Sequence, residues 1–149
     1  MQDNIIVKPS VEKQFDRFLR QGRALFFSAP CGFGKTAVAE ALLSGREVLR
    51  LSADSADFSL PSAEADWQIL LLDDLQDMQE EQDWNALCEL IRACPERRFV
   101  LLSRGTPPGS LMAFQYTGLM TVLEADDLLF DGDDVRRLFQ LSGANVTDS

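Results

Sequence analysis

Apolar positions along this chain fall into two patterns, short unbroken runs and stripes at helical spacing. Ala24–Ser28 is a short apolar run, and the runs Ile69–Leu72 and Phe99–Leu102 lack polar alternation. Runs of that length suit strands buried on both faces. The stripes predict helices. Val11, Phe15, Phe18 and Leu19 fall at i, i+4, i+7 and i+8 and predict a helix over 10–20, with Ser10 as N-cap after Pro9 and a stop at Gln21-Gly22. Lys35–Leu43 reads as a second helix, stopped by Ser44-Gly45, and Glu81–Ala93 as a third. In the third, Trp84, Leu87, Cys88 and Ile91 share a stripe, and Pro95 closes the segment.

Weaker patterns fill the gaps. Glu47–Ser52, Gln68–Leu72 and Met120–Leu123 read as strands and Leu111–Tyr116 as a short helix. Asp131–Leu141 reads as a last helix with Val135, Leu138 and Phe139 inward and a capping-box-like Asp131/Asp134 pair, closed by Ser142-Gly143. Residues 53–66 are small, acidic and broken by Pro61, which predicts a loop and the most mobile segment. Arg104–Gly109 is a second broken loop, and residues 144–149 are expected to fray. Strands alternating with helices imply a parallel sheet covered on both faces.

Composition narrows this picture. A chain of 149 residues, 46% hydrophobic and 26% charged, suits a single domain spanning 1–149 with a real core. No apolar run approaches the roughly 18 residues of a membrane span, and no signal peptide opens the chain. There is no histidine, and the three cysteines (Cys31, Cys88, Cys94) show no CxxC spacing. That argues against a zinc site or a histidine-based triad. Reduced thiols favour a cytoplasmic location. The net charge of −10, with acids clustered at Asp126, Asp127, Asp131, Asp133 and Asp134, argues against direct DNA contact by this segment.

The candidate chemistry begins where strand Ala24–Ser28 meets the helix at Lys35. Between them stand Ala29-Pro30-Cys31-Gly32-Phe33-Gly34, followed by Lys35-Thr36. Strand, glycine-bearing loop, Lys-Thr, helix is the order of a P-loop. Gly32 and Gly34 let backbone N–H groups converge on phosphate oxygens, and the helix N-terminus adds partial positive charge. Lys35 is expected to reach the β- and γ-phosphates, and the Thr36 hydroxyl to ligate Mg²⁺. Ala29 stands where the strict pattern has Gly. The bland alternative is an ordinary Gly-rich turn.

Two further strand ends carry polar groups. Ile69–Leu72 delivers Asp73 and Asp74 to the C-terminal edge of the sheet, where ligands of open parallel sheets sit. Asp73 is expected to hold Mg²⁺ through a water, and Asp74 to orient or deprotonate an attacking water. Alone, such a pair is more often a turn or helix cap. Phe99–Leu102 ends in Ser103-Arg104. If its strand lies beside the P-loop strand, Arg104 comes near the γ-phosphate and acts with Asp74 as a catalytic or sensing group. A solvated loop arginine is the even alternative.

These blocks together resemble the NTPase domain of STAND-class signalling ATPases, in particular the large ATP-binding regulators of the LuxR family. Phe27–Thr36 is similar to that family's SAPAGxGKT, Leu70–Asp74 to its LVLDD, and Val100–Pro108 to its LVLTSRxxPP. Asp127-Leu128-Leu129-Phe130 is similar to its DLRF. The resemblance implies a transcriptional regulator whose ATP/Mg²⁺ switch gates homo-oligomerisation, with DNA bound only through a C-terminal domain outside this chain. It also implies adenine packing near Val7, Lys8 and Pro9. Two departures stand out: the helical region usually found between strands two and three shrinks to loop 53–66, and the chain ends before the family's downstream domains. We therefore expect an N-terminal fragment of a longer protein. The expected fold is a three-layer α/β P-loop NTPase with about five parallel strands in the order 5-1-4-3-2. The expected function is ATP binding with slow hydrolysis, used as a switch. The rivals are an AAA+-type motor or loader ATPase and an interaction module with a vestigial P-loop. No guanine-reading Asn/Thr-Lys-x-Asp motif is present, which favours adenine.

Overall fold

A computed structural model describes residues 9–29, 35–124 and 127, with Lys35 by its backbone alone. Helix α1 (Pro9–Gln21) leads into β1 (Ala24–Ser28), α2 (Lys35–Leu42) and β2 (Leu49–Ser52). Strand β3 (Ile69–Asp73) is followed by a 3-10 turn at Leu75–Asp77, then α3 (Glu81–Ala93), β4 (Arg98–Ser103), α4 (Gly109–Tyr116) and β5 (Met120–Glu124). The expected helix Asp131–Leu141 and the tail 144–149 lie outside the described residues.

All five strands are parallel and lie in the order β2-β3-β4-β1-β5, which is the predicted 5-1-4-3-2 read from the other edge. Alternation of side chains across the pleat gives the sheet two apolar faces. Ala24, Phe26, Leu70, Leu72, Phe99 and Leu101 point to the face covered by α3 and α4, joining Leu87, Ile91, Leu111 and Phe114. Leu25, Phe27, Ile69, Leu71, Val100 and Leu102 point to the other, where Val11, Phe15 and Phe18 of α1 meet Ala39 of α2 and Leu43 just after it. The three layers follow from those runs. Fully burying one such side chain is worth about 1.5–3 kcal/mol, so β3, β4 and β1 form a stiff centre that holds the polar strand ends in register.

Several boundaries differ from expectation for identifiable reasons. Helix α1 starts at Pro9, so Ser10 lies within the first turn and is not its N-cap. Proline suits that position because its φ is preset and its missing N–H would have no intrahelical partner. Helix α2 ends at Leu42, and Gly45 adopts φ 83° in the turn that follows. Gly109, expected in the loop, opens α4. Strand β2 begins only at Leu49, and β3 extends one residue to include Asp73. The 3-10 turn has no periodic signature to betray it.

The connection from β2 to β3 contains turns and no regular helix. Expected as the most mobile segment, it carries Phe58, Leu60 and Ala63 onto the α3/α4-side core. Trp67 ends it, donating from Nε1 to Ser62 O at 3.0 Å and meeting Phe99 edge-on at 5.6 Å. The Arg97 guanidinium stacks over Trp67, 4.3 Å from the ring centre, a cation–π contact for a largely buried cation.

Candidate nucleotide site at the C-terminal edge of the sheet

Parallel strands bring their C-terminal residues to one edge, and here all five end in a polar residue, with Glu124 closing β5. Ser52 closes β2, Asp73 β3, Ser103 β4 and Ser28 β1. The register pairs Ser28 with Ser103 and Ser52 with Asp73. Ser28 and Ser103 are buried, and each is satisfied by the loop after β4. Ser28 Oγ donates to Gly105 O at 2.9 Å, and Gly105 N–H donates to Ser103 Oγ at 3.0 Å. The Ala29 N–H donates to Ser103 O at 3.1 Å, prolonging the β1–β4 ladder to the mouth of the glycine-bearing loop.

Of the P-loop residues, Ala29 is buried at the end of β1 and Thr36 is exposed in the first turn of α2. Pro30, Cys31, Gly32, Phe33 and Gly34 lie outside the described residues, as does the side chain of Lys35, whose backbone opens α2. Thr36 and Asp73, far apart in sequence, come together. Thr36 Oγ1 donates to Asp73 Oδ2 at 3.4 Å, while Asp73 Oδ1 accepts the Asp74 N–H at 2.7 Å. Among the described residues no group of three potential protein ligands gathers around one point. Mg²⁺ at phosphate sites uses one or two protein oxygens together with phosphate and water, so a hydroxyl and a carboxylate meeting at this edge fit it.

Asp74 takes a different direction from Asp73. Its backbone is left-handed, at φ 58° and ψ 38°, a conformation Asp tolerates better than most residues. Its Oδ2 accepts from Ser52 Oγ at 2.7 Å and its Oδ1 from Gln76 Nε2 at 3.4 Å. The carboxylate expected to activate water is thus held toward β2, with both oxygens engaged. Arg104 follows β4, which does lie beside β1, so the condition set for its approach to the loop is met. Its guanidinium is exposed and makes no hydrogen bond or ion pair to a described residue. Its backbone N–H donates to Gln76 Oε1 at 3.0 Å. Of the implied adenine-side residues, Pro9 is half-buried at the start of α1, and Val7 and Lys8 lie outside the described residues. In the DLLF block only Asp127 is described, its Oδ2 accepting the Glu124 N–H at 2.7 Å.

Sequence reasoning passed over Ser52 and Gln76. A signal for Ser52 existed, since strand after strand ends in a small polar residue. Gln76 sits between buried Leu75 and Met78 in a turn that periodicity does not register. A separate cleft lined by Arg46, Arg50, Asp66, Trp67 and Gln68 opens near the starts of β2 and β3, at the far end from these carboxylates.

Comparison with family models and with curated proteins gives no match. Solved structures do match in fold. A DNA replication initiation factor superposes with a TM-score of 0.56 at 18% identity, over 93% of this chain and 52% of that one. Drosophila ORC bound to DNA superposes with a TM-score of 0.51 at 11% identity, over 95% and 47% respectively. The chain therefore spans about half the length of these structural neighbours. Strand order, two-sided helix cover and these superpositions together make the fold that of an α/β P-loop NTPase.

Proposed function

We propose that this chain is an ATP/Mg²⁺-binding switch domain with slow hydrolysis, working in the cytoplasm as part of a STAND-class, LuxR-family transcriptional regulator. The observation that supports nucleotide binding most directly is the meeting of Thr36 and Asp73 at the ligand-binding edge of the sheet. In this reading Ala29–Thr36 cradle the phosphates, and Thr36 and Asp73 hold the metal. Bound there, Mg²⁺ neutralises charge on the β- and γ-oxygens. Asp74 orients water within the restraint set by Ser52 and Gln76, and Arg104 reports the terminal phosphate. The regulator assignment rests on the four sequence blocks, above all Ser103-Arg104-Gly105-Thr106-Pro107-Pro108. DNA binding and homo-oligomerisation belong to the whole regulator. For this domain, the net charge of −10 disfavours a polyanion.

Asp73→Asn tests the metal assignment. It should weaken Mg-dependent ATP binding about tenfold to a hundredfold, the range for losing an outer-sphere metal partner, with the fold unchanged. Equal Mg-ATP affinity in both proteins by calorimetry sinks it.

A second reading, an AAA+-type motor or loader, is favoured by neighbours whose descriptions concern replication initiation and a DNA complex. Rapid, stimulated turnover supports that reading. Slow hydrolysis well below the roughly 1–10³ s⁻¹ usual for enzymes supports the switch.

A further inference from the structure

Between the carboxylate pair and Arg104 stands a side chain to which the nucleotide reading assigns no role of its own. Gln76 is half-buried in the 3-10 turn, and its neighbours Leu75 and Met78 are sunk in the core. The turn is closed by Asp77 N–H donating to Asp74 O at 3.0 Å and Met78 N–H to Leu75 O at 2.9 Å. Its position is thus set by β3 and the core beneath it. From there Oε1 accepts the Arg104 N–H and Nε2 donates to Asp74 Oδ1. A primary amide offers an acceptor and donors on one rigid plane. Here the acceptor meets an N–H and the donor meets a carboxylate, the arrangement that satisfies both.

Arg104 has no comparable anchor on its side chain. Its peptide is clamped by Gln76 on one side and, through Gly105, by Ser28 and Ser103 on the other. We propose that Gln76 is the positioning residue for Arg104. It fixes the start of the β4–α4 loop so that the guanidinium meets the terminal phosphate of a nucleoside triphosphate, and it couples that contact to the Asp73–Asp74 turn. The inference rests on the nucleotide-binding reading above and deepens it, by assigning triphosphate-over-diphosphate discrimination to a residue that touches neither.

The test compares Mg-ATP and Mg-ADP affinities by calorimetry on the whole chain. It uses wild type, Arg104→Ala, Gln76→Met, Gln76→Glu and the Arg104→Ala/Gln76→Met double variant. Wild type should prefer Mg-ATP, and Arg104→Ala should lose that preference. Gln76→Met removes both polar groups at similar length and should cut the preference about threefold to tenfold, the value of one hydrogen bond, with Mg-ADP affinity unchanged. Gln76→Glu keeps an acceptor for the Arg104 N–H but turns a second carboxylate toward Asp74 Oδ1 in place of the donor, so it should cut the preference at least as far as Gln76→Met. The double variant should match Arg104→Ala alone, because the two residues act as one unit. A full preference in Gln76→Met, alongside its loss in Arg104→Ala, overturns the positioning role and leaves the nucleotide reading standing. Effects that simply multiply in the double variant also overturn it. Failure of wild type to bind either Mg-nucleotide overturns the nucleotide reading and this inference with it.

Discussion

At the scale of single residues, reactivity follows burial and local charge. Cys88 and Cys94 are buried free thiols, and burial pushes the Cys88 thiol up, only partly offset by its bond to Ser110 O and by Arg92. A thiol held protonated is a poor nucleophile. In the proposed phosphate loop, converging backbone N–H groups and Lys35 would favour thiolate at Cys31, so Cys31 should be the first to react with an alkylating reagent, and Mg-ATP should protect it. Mass spectrometry of partly alkylated protein reads this. Faster labelling of Cys88 or Cys94, or no protection by nucleotide, contradicts the phosphate-loop geometry. The same scale shows what the sequence could disclose. The places of Thr36 and Asp73 in the fold were legible because each sits at a fixed position in a strand-loop-helix or strand-end pattern. Ser52 carried only the general signal of a small polar strand end, and Gln76 none, because their contacts arise from β2, β3 and β4 lying side by side, which no local pattern records.

At the scale of elements, the central strands were legible because unbroken apolar runs leave few alternatives, and their alternating faces met helices as expected. Ends were less so. Ser10 gave way to Pro9 as the start of α1 because two adjacent residues each carried a start signal, and the proline came first. The stop of α2 was read correctly in kind: Gly45 adopts φ 83°, with nothing within 4 Å of where a Cβ would stand. Crowding therefore adds no cost there, and Gly45→Ala isolates the backbone penalty of a left-handed residue. It should destabilise by about 1–2 kcal/mol, seen as a lower urea midpoint at unchanged slope. An unchanged midpoint contradicts the left-handed turn after α2.

At the scale of the whole molecule, the sheet order β2-β3-β4-β1-β5 separates β1 from β3 by one strand. That spacing lets a hydroxyl from α2, next to β1, meet a carboxylate at the end of β3 across β4. The architecture is shared with proteins at 11–18% identity, which establishes the fold and leaves its biological use to particular residues. Titration of Mg-ATP into the chain, with Lys35→Ala as its control, tests whether this edge binds Mg-ATP through the proposed phosphate loop. A saturable one-site isotherm, weakened at least about tenfold in Lys35→Ala by loss of a charged phosphate contact, is the predicted result. No saturable heat in wild type, or equal binding by Lys35→Ala, contradicts it.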